Sequence, residues 1–244
     1  SLVQALGQAA TRNDSGLIHF LLEQLVEGYT PKPSVAFPPQ QAAPVNRDDL
    51  ELAIARQEFR LHYQPILLLE TAEVIGFEAL LRWQHPKWGI LYPSDFMPMA
   101  EKTGLSIPMG WWVMRQACLQ LCNWQAQFPT QKPITISVNL SRCQLLEPDL
   151  AEQFAKITRE INVSPDRLKL EISETILTEN LNAQIATTLG QLKDLGFLLQ
   201  LENVGRGDSS LEFLNQLPTL LNGRFFSLKV DTAVLSWVRY NNSN

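Results

Sequence analysis

From Arg47 onward, short apolar runs alternate with amphipathic stretches, and this alternation restricts the fold more than any other feature of the chain. The pattern predicts a helix near residues 48–57, then strands over 60–68 and 74–81. A loop rich in proline and aromatic residues follows, and then a helix near 110–127. Further strands are expected over 134–138, 168–172, 197–201 and 226–230. Helices near 149–161 and 180–195 separate them, with a short helix starting near Asp208 and a last one from Thr232. Apolar strands separated by helices bury both faces, which points to a parallel sheet covered by helices. A closed barrel and a doubly wound open sheet both meet that description. No glycine-rich phosphate loop opens the first strand–helix unit, as a nucleotide-binding open sheet would require. The expected fold is therefore α/β, a TIM-type (β/α) barrel. Six strands are legible, so it is expected to lack the last two of the usual eight.

Residues 1–29 read as an N-terminal helical segment, with Leu17, Ile18, Leu21, Leu22 and Leu25 on one face and Asp14 or Ser15 as its cap. Residues 30–46 hold Pro31, Pro33, Pro38, Pro39 and Pro44 and read as a semi-rigid linker. The barrel domain is expected over 47–244. The first residue is Ser1 rather than methionine, which implies a processed, trimmed or partial chain.

Composition narrows the function. Hydrophobic residues make up 45% and charged residues 18%, as in folded globular proteins. A net charge of −5 speaks against coating nucleic acid in bulk, which needs a cationic surplus. No apolar run approaches the roughly 20 residues of a membrane span, and no secretory signal is visible. Cys118 and Cys122 lie four apart on a predicted helix and Cys143 stands alone, which suits reduced thiols in a cytoplasmic protein better than a metal site.

Polar residues gather at the predicted strand ends: Glu78, Asn139, Glu171 with Glu174, Glu202 with Asn203, and Lys229. Active sites of barrels occupy that rim. One run stands out: Glu78-Ala79-Leu80-Leu81-Arg82-Trp83, after Val74-Ile75-Gly76-Phe77. A carboxylate and an arginine at the end of one strand can hold a metal ion and a phosphate side by side. The run resembles the signature of the EAL family, bacterial domains that cut the signalling dinucleotide cyclic di-GMP. The resemblance extends over about residues 48–234.

Carried over residue by residue, the resemblance implies a site. Gln64, within Leu61-His62-Tyr63-Gln64-Pro65-Ile66, would contact the ligand, and Arg82 would hold one of its phosphates. Glu78 would bind metal together with Asn139, in Ser137-Val138-Asn139-Leu140-Ser141, and Glu171, in Leu170-Glu171-Ile172-Ser173-Glu174. Glu174 would steady the loop after the next strand. Lys229, in Leu228-Lys229-Val230-Asp231, would sit beside the attacking water. Glu78, Glu174 and Lys229 are then the catalytic set, and Mg2+ or Mn2+ is the implied cofactor.

The chain also departs from the family pattern. Active members carry two adjacent aspartates after the fifth strand, where this chain reads Glu202-Asn203-Val204-Gly205-Arg206-Gly207-Asp208-Ser209-Ser210. Two divalent ions about 4 Å apart repel by on the order of 15 kcal/mol at an effective dielectric of about 20. An anionic bridge must offset this, and neutral Asn203 makes a poor one. Glu202 keeps its charge on a longer stem, so one ion, or none, is expected with Glu78, Asn139, Glu171 and Glu202 as its ligands. The expected function is an EAL-type module that binds cyclic di-GMP or a protein, with weak or absent catalysis. Its protein contacts would be a homodimer or another partner, through the N-terminal helix or an open barrel edge. An active phosphodiesterase producing the linear dinucleotide is the alternative.

Plainer readings compete. Glu78 and Glu171 could serve a barrel glycosidase as acid and nucleophile, which leaves Asn139 and Lys229 unexplained. Singly, Arg82 reads as a surface ion-pair partner, and Glu171 and Glu174 as helix caps. Trp111, Trp112 and Trp124 read as packing, and His62 and His85 show no catalytic spacing.

Overall fold

A computed structural model describes residues 45–68, 73–128, 133–180, 182–202 and 227–229. The N-terminal helical segment, most of the proline-rich linker, and the helices expected from Asp208 and Thr232 lie outside these residues.

Helix α1 (Arg47–Ala55) starts at Asn46, which closes a reciprocal cap. The Asp49 N–H donates to Asn46 Oδ1 at 3.0 Å and the Asn46 N–H to Asp49 Oδ2 at 3.1 Å. Strands β1 (Phe59–Leu68), β2 (Glu73–His85) and β3 (Gly89–Leu91) follow. Helices α2 (Pro93–Thr103) and α3 (Ser106–Gln127) lead to β4 (Thr135–Asn139). After a single turn, α4 (Arg142–Leu145), come α5 (Leu150–Ile161), a 3-10 turn (Pro165–Arg167) and β5 (Leu168–Ser173). Helices α6 (Glu174–Asn180) and α7 (Ala183–Asp194) precede β6 (Leu198–Glu202), and β7 (Ser227–Lys229) is the last described strand.

The sheet runs in the order β1-β2-β4-β5-β6-β7, with β3 paired to β2. From β2 through β4, β5, β6 and β7 every neighbour is parallel, which makes a partial (β/α) barrel. The first pairing departs from the all-parallel expectation, because β1 and β2 are antiparallel. The link between Leu68 and Glu73 accounts for it: a parallel return needs a crossover of a dozen or more residues, and this one is far shorter.

Helix α2 falls within the expected proline-rich loop. Pro93 occupies its first turn, where a missing N–H costs nothing, and Pro98 lies inside it. The Tyr92 N–H donates to Asp95 Oδ2 at 2.8 Å and fixes the start.

Alternate residues sort to opposite faces of the sheet. Ala79, Ile136, Val138, Leu168, Leu170, Ile172, Leu199 and Leu201 are buried in the main core with Met114, Leu121, Phe154, Leu189 and Leu192 from the helices. A second cluster, Leu50, Ala53, Phe59, Trp83, Leu91, Phe96, Ala100 and Met109, seats α1 and α2. The tryptophans pack as expected. Trp111 meets Phe154 edge-on at 5.6 Å, and Trp124 contacts Tyr63 and Phe77 at 5.1 and 4.5 Å between ring centroids. His85 Nδ1 accepts the Lys87 and Trp88 N–H groups and shapes the turn into β3. Cys118 is buried and Cys122 and Cys143 are half-buried free thiols.

Candidate metal centre

The face of the sheet turned away from the helices is polar, and the strand registers show why its polar residues meet. Gln64 is opposite Glu78, Glu78 is level with Ser137, and Asn139 with Glu171. Glu171 is in turn level with Gln200, and Ser173 with Glu202. Residues level with one another on paired strands point to the same side.

Glu78, Glu171 and Glu202 each offer a carboxylate oxygen, and these oxygens lie within 4.8 Å of one another. Glu171 is fully buried, while Glu78 and Glu202 are half-buried. Asn139 donates from Nδ2 to Glu78 Oε1 at 3.2 Å, which joins it to the cluster. The N–H of Leu140 donates to the Glu171 carbonyl at 2.8 Å and ties the end of β4 to β5. The next residues form a second reciprocal cap: Ser141 N–H to Gln144 Oε1 at 3.0 Å, and Gln144 N–H to Ser141 Oγ at 3.3 Å.

Like charges gathered at this separation repel one another. A cation among them relieves that. The converging donors are carboxylate oxygens, hard ligands that suit Mg2+ or Mn2+ rather than a thiophilic metal.

The other expected residues lie on neighbouring strands or directly after one. Glu174 is buried in the first turn of α6, directly after β5; the loop it is expected to steady lies outside the described residues. Gln64 is exposed. Arg82 lies four residues along β2 from Glu78. Its NH1 donates to the Leu81 carbonyl at 2.7 Å, and its guanidinium carbon sits 4.7 Å from the centre of the Tyr92 ring. Sequence reasoning passes over Tyr92, because nothing local announces that β3 returns to β2. Lys229 Cα pairs with Glu202 in the last described strand. Asn203 lies outside the described residues.

A partial (β/α) barrel with converging carboxylates on one side of its sheet has the layout on which barrel active sites are built. The EAL domain family model matches residues 47–220, and the chain belongs to that family. The barrel-glycosidase reading is thereby displaced. An uncharacterized signaling protein of Caulobacter vibrioides is 39% identical over 75% of this chain and 21% of its own length. The bifunctional diguanylate cyclase/cyclic di-GMP phosphodiesterase MucR of Pseudomonas aeruginosa is 33% identical over 80% of this chain and 27% of its own. The chain thus spans only about a fifth to a quarter of these relatives. The structure of the PaMucR phosphodiesterase in its c-di-GMP complex superposes with a TM-score of 0.64 at 36% identity, covering 70% of this chain and 68% of that one. No helix among the described residues is long and apolar enough to cross a membrane.

Proposed function

We propose that this chain is a cyclic di-GMP-binding module whose acidic centre takes one Mg2+ or Mn2+ ion, with weak or absent hydrolysis of the dinucleotide. The observation that carries the reading is the convergence of Glu78, Glu171 and Glu202 within 4.8 Å. The ligand is inferred from the PaMucR complex with c-di-GMP.

In this reading Glu78, Asn139, Glu171 and Glu202 hold the ion, and Asn139 turns its amide so that the oxygen replaces the nitrogen now facing Glu78. Such an ion, when bound, acidifies a water and draws charge from a phosphate oxygen. Arg82 supplies N–H donors to a phosphate, and a guanidinium can grip two oxygens at once. Gln64 contacts the ligand from the opposite strand. Lys229, level with Glu202, would stand beside the attacking water, and Glu174 supports the loop that follows β6. Hydrolysis suffers because Asn203 brings no charge to hold a second cation against the first. The alternative of an active phosphodiesterase draws support from one observation, the reach of Glu202 into the cluster despite its position beside Asn203.

The test is incubation of the purified protein with cyclic di-GMP and Mn2+, following both retained ligand and the linear product by chromatography. Retention without product is the expected result. Product that disappears in Glu78→Ala would make the chain an enzyme. Neither retention nor product would leave a protein-interaction module.

A further inference from the structure

We infer that Tyr92 is a positioning residue for Arg82, and through it for a phosphate of the bound dinucleotide; the inference rests on the function proposed above. Three observations carry it. The Arg82 guanidinium carbon lies 4.7 Å from the Tyr92 ring centre, within the range of a cation–π contact. One arm of the same guanidinium is committed to the Leu81 carbonyl at 2.7 Å. Tyr92 itself is fixed from both sides. Leu91 before it is 3% exposed and level with Trp83 in the β2–β3 pairing, and the Tyr92 N–H is held by Asp95 Oδ2 at 2.8 Å at the start of α2.

These contacts change what Arg82 can do. A free arginine on a strand samples many rotamers and loses that freedom when it binds a phosphate. Here the ring limits the plane of the guanidinium before any ligand arrives, and the Leu81 carbonyl takes one N–H. The remaining donors keep a fixed orientation toward an anion. The ring face attracts the cation without competing for its N–H groups, whereas a carboxylate in the same place would neutralise it. Tyr92 is 46% exposed, so its ring is not needed to fill a core. The hairpin turn at His85–Gly89 thereby has a functional consequence: it returns the chain so that an aromatic lies over the arginine.

Cyclic di-GMP binding by equilibrium dialysis tests this in wild type, Tyr92→Phe, Tyr92→Leu, Arg82→Gln and the Tyr92→Leu/Arg82→Gln double variant. Expected is a dissociation constant weakened by about two- to fivefold in Tyr92→Leu, preserved in Tyr92→Phe, and not weakened further when Tyr92→Leu is added to Arg82→Gln. Thermal unfolding of the two Tyr92 variants should coincide with wild type. Wild-type affinity in Tyr92→Leu overturns the inference while leaving the proposed ligand intact. A loss in Tyr92→Leu that persists in the Arg82→Gln background also overturns it, because Tyr92 would then touch the ligand itself. Absence of binding by wild type overturns the proposed function and this inference with it.

Discussion

Asn139, at the end of β4, donates its side-chain amide to the Glu78 carboxylate across the β2–β4 pairing, Nδ2 to Oε1 at 3.2 Å. This bond partly neutralises one member of the acidic cluster and places an amide where a cation would find its oxygen after a half-turn. Removing it should cost the free protein little, since Asn139 is exposed and water can replace the donor. For Asn139→Ala we expect a stability change of no more than about 1 kcal/mol. Mn2+ affinity should fall about tenfold, about 1.4 kcal/mol. Calorimetric titration with Mn2+ alone measures it, and unchanged affinity would remove Asn139 from the ligand set.

Gly110 and Gln144 supply a second prediction. A Cβ built on Gly110 would collide with the Gln144 side-chain amide, standing 2.5 Å from its Cδ. Gln144 is 3% exposed and its amide oxygen holds the Ser141 cap, so moving the amide aside gives up that cap. Gly110→Ala should destabilise by about 1–3 kcal/mol through overpacking and loss of the cap, although alanine is the better helix former by about 1 kcal/mol. In a Gln144→Ala background the clash is gone and the same substitution should become neutral or stabilising. Urea unfolding of the four proteins reads that change of sign.

Much of this architecture is legible in the sequence because periodicity reports burial directly. Strands β4, β5 and β6 lie within a residue or two of their expected spans, since each is a short run buried on both faces, with Ile136, Val138, Leu170, Ile172, Leu199 and Leu201 in the core. Glu78, Asn139, Glu171 and Glu202 are legible as a set because each ends or lines a strand of one sheet, and the registers bring them together. The antiparallel β1–β2 pair is not legible in the same way, because strand direction depends on the length of the link and not on apolar pattern. Helix α2 escapes a reading of the sequence because Pro93 and Pro98 look like breakers, while the stabilising cap from Asp95 is a three-dimensional fact. The Tyr92–Arg82 contact is equally invisible there, being made by the return of β3 onto β2.

Burial pushes the Cys118 thiol from its ordinary 9.0 up to about 12, with Cys122 adding to the rise. Such a thiol is a poor nucleophile at neutral pH. Native protein at pH 8 should therefore leave Cys118 unlabelled by iodoacetamide until urea unfolds the chain. The linkage has a definite sign. The unfolded thiol loses its proton near pH 9 while the folded one keeps it to about 12, so stability falls as pH rises through that window. Burial raises the Tyr63 phenol from 10.0 to about 12 as well, which acts in the same direction. Cys118→Ala should show a shallower alkaline loss of stability than wild type, and an identical slope would contradict the assignment.

Gly76 lies two residues before Glu78 and is level with Thr135 in the β2–β4 pairing. A Cβ at Gly76 would stand 2.6 Å from Thr135 Oγ1 and 2.8 Å from the Thr135 carbonyl oxygen. The hydroxyl can rotate away, but the carbonyl belongs to the backbone and cannot. A glycine inside a strand is usually a weakness, and here it marks a close approach of two chains. Alanine at this position should push β2 from β4 and carry Glu78 away from Asn139 and Glu171. We expect Gly76→Ala to lose about 1–3 kcal/mol of stability, more than the roughly 0.5–1 kcal/mol that replacing a glycine otherwise returns. It should also lower Mn2+ affinity, although Gly76 itself offers the ion nothing. Thr135→Ala removes the hydroxyl and leaves the carbonyl, so adding it to Gly76→Ala should restore little of either loss. Full recovery in that double variant would mean that the contact is made by side chain alone and that the spacing of β2 and β4 does not depend on glycine.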